Sequence, residues 1–320
     1  GAGMRGGRRA ACPPSHPTFP GAPFVSSPRV SVVMPAYNAQ AFIAAALDSA
    51  LAQTFSDLEV LVVDDGATDA TGSIADDYAR RDARVRVFHQ ANAGLCGARN
   101  TAIAHARGAY LALLDSDDVW HPNHLADSVA RLDADPALGL VHANIRRIDA
   151  LGKDLGVPVR HWDAWKGREW ESVFLRREHV SCPTVVFRRD VVQRVGDFDL
   201  HFNRLGCEDR DLWLRIAAVA PIAYIDAVHA DYRQHGNNMS KLRDKMQQAR
   251  LRLIDKHTAT PQGSHLRASA LSALCADSGD EFRASGEFGA AVRAYARAWS
   301  HRPLQLRPLK GIVRSVLRRA

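Results

Sequence analysis

A cluster of three carboxylates follows directly on a short apolar run. Residues 111–114 have the character of a buried strand, and Asp115, Asp117 and Asp118 fall within the next four residues. Crowded carboxylates repel one another and lower stability unless a cation or a set of hydrogen-bond donors compensates them. The cluster therefore indicates that a positively charged group binds here.

The elements that must position these carboxylates alternate along the chain. From residue 30, apolar runs alternate with amphipathic segments, which is typical of an α/β protein whose mostly parallel sheet is covered by helices on both faces. The last clear helix of this part is expected to place Leu212, Ile216 and Val219 in the core. The predicted strands are 30–38, 58–66, 84–89, 109–118, 182–189 and 221–226, and the predicted helices are 40–53, 70–81, 97–107 and 209–219.

Parallel strands bring their carboxyl ends to one edge, where such sheets bind ligands. Asn38, Asp65 and Asp117 all fall at predicted strand ends, so a ligand and a metal ion would reach them together. The alternative is that each acid caps the helix or turn that follows it. Asp118 precedes "VWHPNHL", in which Pro122 suits a first helical turn, and this fits a capping role.

Composition excludes several classes of protein. The chain has 320 residues, 46% of them hydrophobic, and lacks the run of about 18 apolar residues that would span a membrane. The net charge of +7 arises from two stretches without acids, 1–29 and 301–320, so we expect no nucleic-acid surface. Five cysteines without CxxC spacing argue against disulfides or a zinc site and suit a cytoplasmic protein.

Six blocks of sequence carry a resemblance to a known family. They are "SVVMPAYN" at 31–38, "VVDDGATD" at 62–69, "AGLCGARNTAI" at 93–103, "ARGAYLALLDSDDVWHPNHL" at 106–125, "GCEDRDLWLR" at 206–215 and "YRQHGNNMS" at 232–240. A single Asp-x-Asp is weak evidence, but six blocks in the family's order are specific. Over residues 30–240 the chain resembles the family 2 glycosyltransferases, which have the Rossmann-like GT-A fold.

The resemblance implies a metal site in the carboxylate cluster. Asp117 would ligate a divalent cation, Asp115 would approach the ribose and the metal's hydration shell, and His235 would reach the metal or the diphosphate from a later loop. Hard divalent cations prefer such oxygen ligands together with phosphate oxygens. The cofactor is therefore expected to be Mn²⁺ or Mg²⁺, and the residues do not choose between them.

The nucleotide part of the donor is implied to lie beside the first two strands. Asp65 matches the family's acid that contacts the base, and the turn Ala36, Tyr37 and Asn38 matches the wall around it. Arg99, in the third block, is also assigned to the donor side by the resemblance.

The acceptor side needs a base, because an attacking hydroxyl must lose its proton as it reaches the anomeric carbon. The resemblance implies that Asp209 is this base, with Glu208 beside it. An N-cap at the start of the following helix is the alternative for Asp209. Trp213 would either stack on an acceptor sugar or pack in the core.

The resemblance implies an inverting, metal-dependent transferase that moves a sugar from a UDP-sugar to a hydroxyl of a glycan or a lipid-linked envelope precursor. Leu251 stands where a processive synthase would carry the Trp of a Q-x-x-R-W signature. Two alternatives are a sugar-phosphate nucleotidyltransferase and a binding or scaffold protein on a transferase fold. "MPAYNAQAF" lacks the glycines of a nucleotidyltransferase loop. The retained Asp117, Asp209 and His235 argue against a scaffold.

Three regions are expected along the chain. Residues 1–29 form a disordered segment with a tag remnant before Met4, 30–240 form the transferase domain, and 241–320 form a helical extension. Within the extension, 308–319 predicts a basic amphipathic helix that either contacts an anionic membrane, at its inner face, or docks on the protein itself. Its apolar residues are Leu309, Ile312, Val313, Val316 and Leu317, and its basic residues are Lys310, Arg314 and Arg318.

Overall fold

The computed structural model describes residues 1, 27–157, 169–175, 180–236 and 243–317. Eight strands form one sheet in the order β3-β2-β1-β4-β7-β6-β8-β5. Only β7 and β5 run antiparallel to their neighbours, which confirms the predicted mostly parallel sheet. The strands are β1 Val30–Ala36, β2 Leu58–Asp64, β3 Val85–His89, β4 Tyr110–Leu113, β5 Val119–Trp120, β6 Leu140–Asp149, β7 Val186–Arg188 and β8 Ile222–Gln234.

Helices cover both faces of this sheet and continue beyond it. The expected disordered segment lies largely outside the described residues, which omit 2–26. The helices are α1 Ile43–Leu51, α2 Thr71–Arg81, α3 Gly94–His105, α4 His124–Ala134, α5 Glu169–Phe174, α6 Arg189–Val195, α7 Glu208–Ala217, α8 Arg243–Thr258, α9 Arg267–Ala284, α10 Phe288–His301 and α11 Leu306–Leu317.

The continuous apolar runs of β1, β2 and β4 are explained by burial of both sheet faces. Every residue of these three strands is buried. Val32 and Met34 belong to one apolar layer with Leu47 of α1, while Val33 belongs to the opposite layer with Leu212 of α7. Successive strand residues point to opposite faces, so a strand covered on both sides is apolar over most of its length.

Three details differ from the sequence-based expectations. Val219 does not face the core, because α7 ends at Ala217 and the Val219 side chain is 50% exposed. Of the predicted strand 182–189, only Val186–Arg188 pairs as a strand, since Cys182–Thr184 forms a 3₁₀ turn. Asp118 caps no helix, because the short strand β5 follows it and α4 begins only at His124.

Helices α8 to α11 form the expected helical region after the sheet. Helices α9 and α10 pack together through small residues, with Ala276 and Ala291 around the buried ring of Tyr295. The Ser272 hydroxyl of α9 donates to the carbonyl oxygen of Ala298 at 2.8 Å. The boundary predicted at residue 240 stays a prediction, since 237–242 lie outside the described residues.

Candidate active site

The candidate site lies at the edge where the adjacent parallel strands β2, β1 and β4 end. Ala36 pairs in register with Asp64, and the backbone N–H of Asp65 donates to the carbonyl oxygen of Ala36 at 2.9 Å. Leu114 continues the register of β4, because its N–H donates to Val33 at 3.1 Å. Both predicted clusters of acids therefore begin at the same edge of the sheet.

Asp65 is buried and surrounded by donors. Its carboxylate accepts the Gln90 side-chain N–H at 2.7 Å and the backbone N–H groups of Ala93 and Gly94 at 2.7 and 2.8 Å. These two backbone groups lie at the N-terminus of α3, where unpaired N–H groups and the helix dipole favour an anion. A carboxylate has about four acceptor positions, and the three that are used here let Asp65 fix the 90–94 loop.

The turn after β1 lies beside Asp65. Ala36 is buried, whereas the Tyr37 ring is 52% exposed at the edge of the sheet. Asn38 adopts the left-handed region with φ 49°, and its side-chain oxygen accepts the backbone N–H of Thr68 at 2.8 Å. Asparagine tolerates this conformation better than most residues, so the turn holds Tyr37 outward.

Arg99 joins the donor-side and acceptor-side acids. Its guanidinium donates to Asp115 at 2.7 Å and to Glu208 at 2.9 Å, and it lies over the Phe198 ring at 5.1 Å. Arg99 is only 1% exposed, so it lies behind the site and not on its surface. The structure shows Arg99 between two acids of the predicted site, and its assignment to the donor side stays a prediction.

Asp117 and His235 meet across the site although 118 positions separate them. The Nε2 atom of His235 lies 2.8 Å from Oδ2 of Asp117, and the imidazole stacks on Phe42 at 5.1 Å. Burial, then repulsion from Asp115, raises the pKa of Asp117, against the lowering effect of His235. This half-buried carboxylate therefore lacks full compensation for its charge.

Asp118 is the most deeply buried acid of the cluster. It accepts the backbone N–H of Arg233 on β8 at 2.8 Å, while its Oδ2 atom has no hydrogen-bond partner among the described residues. Burial, with repulsion from Asp117 and Asp115, holds its pKa well above the ordinary range. Its contact with β8 replaces the capping role considered from the sequence.

The donor set fits a divalent cation in part. No group of three or more His, Cys, Asp or Glu side chains within the described residues is arranged to hold a metal by itself. Asp117 and His235 offer two ligands, and burial, followed by repulsion between the acids, raises the pKa values of Asp117 and Asp118. A cation here would complete its shell with phosphate oxygens and waters.

Asp209 lies in the first turn of α7 and does not cap it. The residue before the helix, Cys207, has φ 64° and makes no side-chain cap. The Asp209 carboxylate accepts the backbone N–H of the next residue, Arg210, at 2.6 Å. The N-cap alternative is therefore not supported, and Asp209 remains partly accessible next to Glu208.

Glu208 and Trp213 occupy interior positions on the same helix. Burial, followed by repulsion from Asp209, raises the pKa of Glu208 to about 7, although Arg99 opposes the shift. Trp213 is 1% exposed and meets the Phe187 ring edge-on at 5.9 Å. Its ring is not available to stack on an acceptor sugar, so of the two interpretations core packing is the one that the structure supports.

Sequence reasoning missed several residues that support the site. Asn203 accepts the N–H of Cys96 at 3.3 Å and donates to the Ala93 carbonyl at 2.5 Å, which ties the acceptor-side loop to the start of α3. Phe42 supports His235. No local signal marks either residue, because each acts on a partner far away in the sequence.

The fold is that of the GT-A class, as comparison with solved glycosyltransferases shows. TarS of S. aureus, in a structure of residues 1–349 with UDP-GlcNAc, superposes with TM-score 0.57 and 18% identity over 90% of this chain and 89% of that one. The mannosyltransferase PcManGT of Pyrobaculum calidifontis, solved with GDP-Man and Mn²⁺, gives TM-score 0.59 and 20% identity over 91% and 88%. At these identities the likeness shows the fold.

Sequence comparison then identifies the family. The model of "Glycosyl transferase family 2" matches residues 31–196, more than half of the chain, so this protein belongs to that family. The chondroitin synthase of Escherichia coli is 32% identical over 215 residues, which are 67% of this chain and 30% of that protein. The chain spans less than a third of the length of the first curated relatives it matches. The family assignment from the six blocks is confirmed.

Proposed function

We propose that this chain is an inverting, metal-dependent glycosyltransferase. It transfers a sugar from a UDP-sugar to a hydroxyl group of a glycan or a lipid-linked envelope precursor. The observation that carries the proposal is the Arg99 bridge, which fixes Asp115 of the donor side and Glu208 of the acceptor side within one buried ion-pair network. Through that network the base candidate Asp209 stands beside the acidic cluster.

The residues have separate tasks in this reaction. Asp65 and the turn Ala36, Tyr37 and Asn38 receive the nucleotide. Asp117 and His235 would hold the divalent cation, Mn²⁺ or Mg²⁺. When bound, the cation neutralises charge that develops on the leaving diphosphate.

The transfer is a single displacement at the anomeric carbon. Asp209 accepts the proton of the acceptor hydroxyl, whose oxygen forms a bond to that carbon. The bond between the anomeric carbon and the diphosphate oxygen breaks at the same time, and the nucleoside diphosphate leaves with the electron pair. Attack from the face opposite the leaving group inverts the anomeric configuration.

The choice of donor and acceptor rests on relatives and is open to direct test. A TarS structure contains UDP-GlcNAc, which supports a UDP-sugar as the donor. The PcManGT structure contains GDP-Man, so a GDP-sugar is the donor to test against it. The chondroitin synthase relative supports a glycan acceptor.

No helix among the described residues is long and apolar enough to cross a bilayer.

Turnover by the Asp209→Asn variant tests the proposed base. Release of nucleoside diphosphate would be measured from UDP-GlcNAc, UDP-glucose, UDP-galactose and GDP-mannose, with simple glycan acceptors and with MnCl₂, MgCl₂ or EDTA. Loss of a general base lowers the rate about 10²- to 10⁴-fold, while affinity for the nucleotide should stay unchanged. Asp190→Asn, which changes an acid in the first turn of α6, is the matched control. Unchanged turnover in Asp209→Asn would remove the assignment of the base, and no release from any donor would overturn the proposed function.

A further inference from the structure

Helix α11 packs on the protein through its small residues. Pro308, Gly311 and Ser315 are its buried positions. Gly311 lies so close to the Tyr295 ring of α10 that a β-carbon there would overlap it. Arg307 secures the helix from one side, because it donates to Asp277 and Asp280 of α9 at 2.8 and 2.7 Å.

This packing leaves the apolar face of α11 outward. Ile312 is the exception, since it packs partly against the small core around Tyr295. The other apolar side chains recur every three or four residues along the exposed side, and each is about half exposed or more. They are Leu306 (65%), Leu309 (46%), Val313 (49%), Val316 (51%) and Leu317 (69%). The helix therefore docks on the protein by one face, as one of the two sequence-based interpretations expected, and its apolar face stays exposed.

The segment that carries this apolar face has charged side chains of one sign. After Glu287 the sequence has no Asp or Glu, and residues 288–320 contain eight Lys and Arg. Lys310 and Arg314 are exposed along one flank of the apolar stripe. Neither has a salt bridge within the part of the chain that the structure describes. A partner for this face must accept apolar side chains and carry negative charge.

An anionic bilayer meets both requirements. Amphipathic helices with this composition bury their apolar face at the boundary of headgroups and acyl chains, while lysine and arginine bind acidic headgroups. A second copy of this chain is a poorer partner, because a two-fold contact would place Lys310 and Arg314 of one copy near those of the other.

We propose that α11 binds the surface of a membrane that contains anionic lipids. Leu306, Leu309, Val313, Val316 and Leu317 enter the headgroup boundary, and Lys310 and Arg314 contact lipid phosphates. The contact would bring the enzyme to lipid-linked or membrane-bound acceptors. The proposal does not rest on the proposed reaction, because vesicle binding and nucleotide binding are measured separately.

Co-sedimentation of the full chain with vesicles tests this surface. Vesicles of phosphatidylcholine alone would be compared with vesicles that also contain phosphatidylglycerol. The native chain should bind the anionic vesicles at least about tenfold more tightly, and added salt should weaken this binding. Lys310→Glu with Arg314→Glu should remove the preference for anionic lipid.

A matched pair of triple variants separates this face from general hydrophobicity. Leu309→Gln with Val313→Gln and Val316→Gln should abolish binding. The control Leu151→Gln with Leu200→Gln and Val219→Gln changes three exposed apolar side chains elsewhere and should bind like the native chain. Circular dichroism would verify the fold, since all six positions are exposed.

Three results would overturn the proposal. The first is that the native chain does not bind anionic vesicles, and the second is that the α11 triple variant binds them as well as the native chain. The third is that light scattering shows a dimer of the native chain, that the triple variant is a monomer, and that neither protein binds vesicles.

Discussion

The acids at the end of β2 and the acids after β4 both follow apolar strands in the sequence, and their environments in the structure differ. Asp64 accepts the N–H of Ala67 and contacts His89, each at 2.9 Å, and Asp65 accepts three hydrogen bonds. After β4, burial and mutual repulsion raise the pKa values of Asp117 and Asp118. Asp64 and Asp65 organise the backbone through these contacts, whereas Asp117 and Asp118 have few donors for their charge, and we propose that a cation binds there.

The acids at the start of α7 belong with the second group. Glu208 shares Arg99 with Asp115, and its pKa is raised to about 7 by burial and by Asp209. One buried guanidinium thus serves two carboxylates from distant parts of the chain. The comparison between the acids with many donors and the acids with few donors can be tested at each of these residues.

Removal of the Arg99 charge should have the largest effect on stability. Arg99→Met leaves Asp115 and Glu208 without their shared cation, and loss of one partner of a buried ion pair costs about 3–5 kcal/mol. Arg107→Met is the matched control, because Arg107 is half exposed and Glu59 retains Arg86. It should cost no more than about 1 kcal/mol. Urea unfolding measures both values, and equal losses would contradict the central role of the Arg99 bridge.

Glu208→Gln should change how stability depends on pH. The ordinary pKa of this carboxyl is 4.5 and burial raises it to about 7 in the folded chain. Between these values the unfolded chain binds fewer protons than the folded chain, so native stability falls as pH rises, and the effect is complete above pH 7. The variant lacks this group. As pH rises from 4.5 to 7, its free energy of unfolding should therefore increase by up to about 3 kcal/mol relative to that of the native protein.

Urea unfolding of both proteins at pH 5 and pH 8 measures this difference. The comparison between the two pH values cancels the constant cost of weakening the pair with Arg99. A stability difference that does not change with pH would mean that Glu208 is ionised throughout and belongs with the compensated acids.

A smaller effect distinguishes Asp65 from Asp118. Asp65→Asn removes a charged acceptor of two backbone N–H groups and should cost about 2 kcal/mol. Asp118 has its pKa raised well above the ordinary range, so asparagine resembles its protonated form and can still accept the N–H of Arg233. Asp118→Asn should cost less than about 1 kcal/mol. The same loss of free energy of unfolding in both variants would show that the environments of Asp65 and Asp118 do not differ.

Much of this account was accessible from the sequence. The apolar runs predicted the strands around the site because both faces of β1, β2 and β4 are buried. The parallel arrangement then predicted that strand-end residues meet at one edge. The six blocks identified the family, which the match over residues 31–196 confirms.

The remaining features depend on partners that local patterns do not encode. The sequence around Asp118 is typical of a helix cap, but in the structure its carboxylate accepts the backbone N–H of Arg233 on β8. No feature of the sequence distinguishes stacking of Trp213 on a sugar from packing in the core. The contact with the Phe187 ring shows that Trp213 packs in the core. The face by which α11 docks was also hidden, because small residues pack inward there and the apolar periodicity points outward.

Calorimetric titration of UDP tests the central claim that the acids after β4 bind a cation together with a diphosphate. UDP and GDP would each be titrated with MnCl₂ and with EDTA, into the native chain, Asp117→Ala and the control Asp57→Ala, which removes an exposed acid away from the cluster. The account predicts that UDP binds the native and control proteins with MnCl₂. Affinity should fall at least about tenfold, or about 1.4 kcal/mol, with EDTA or in Asp117→Ala. Equal affinity in all of these conditions, or no binding of either nucleotide, would contradict it.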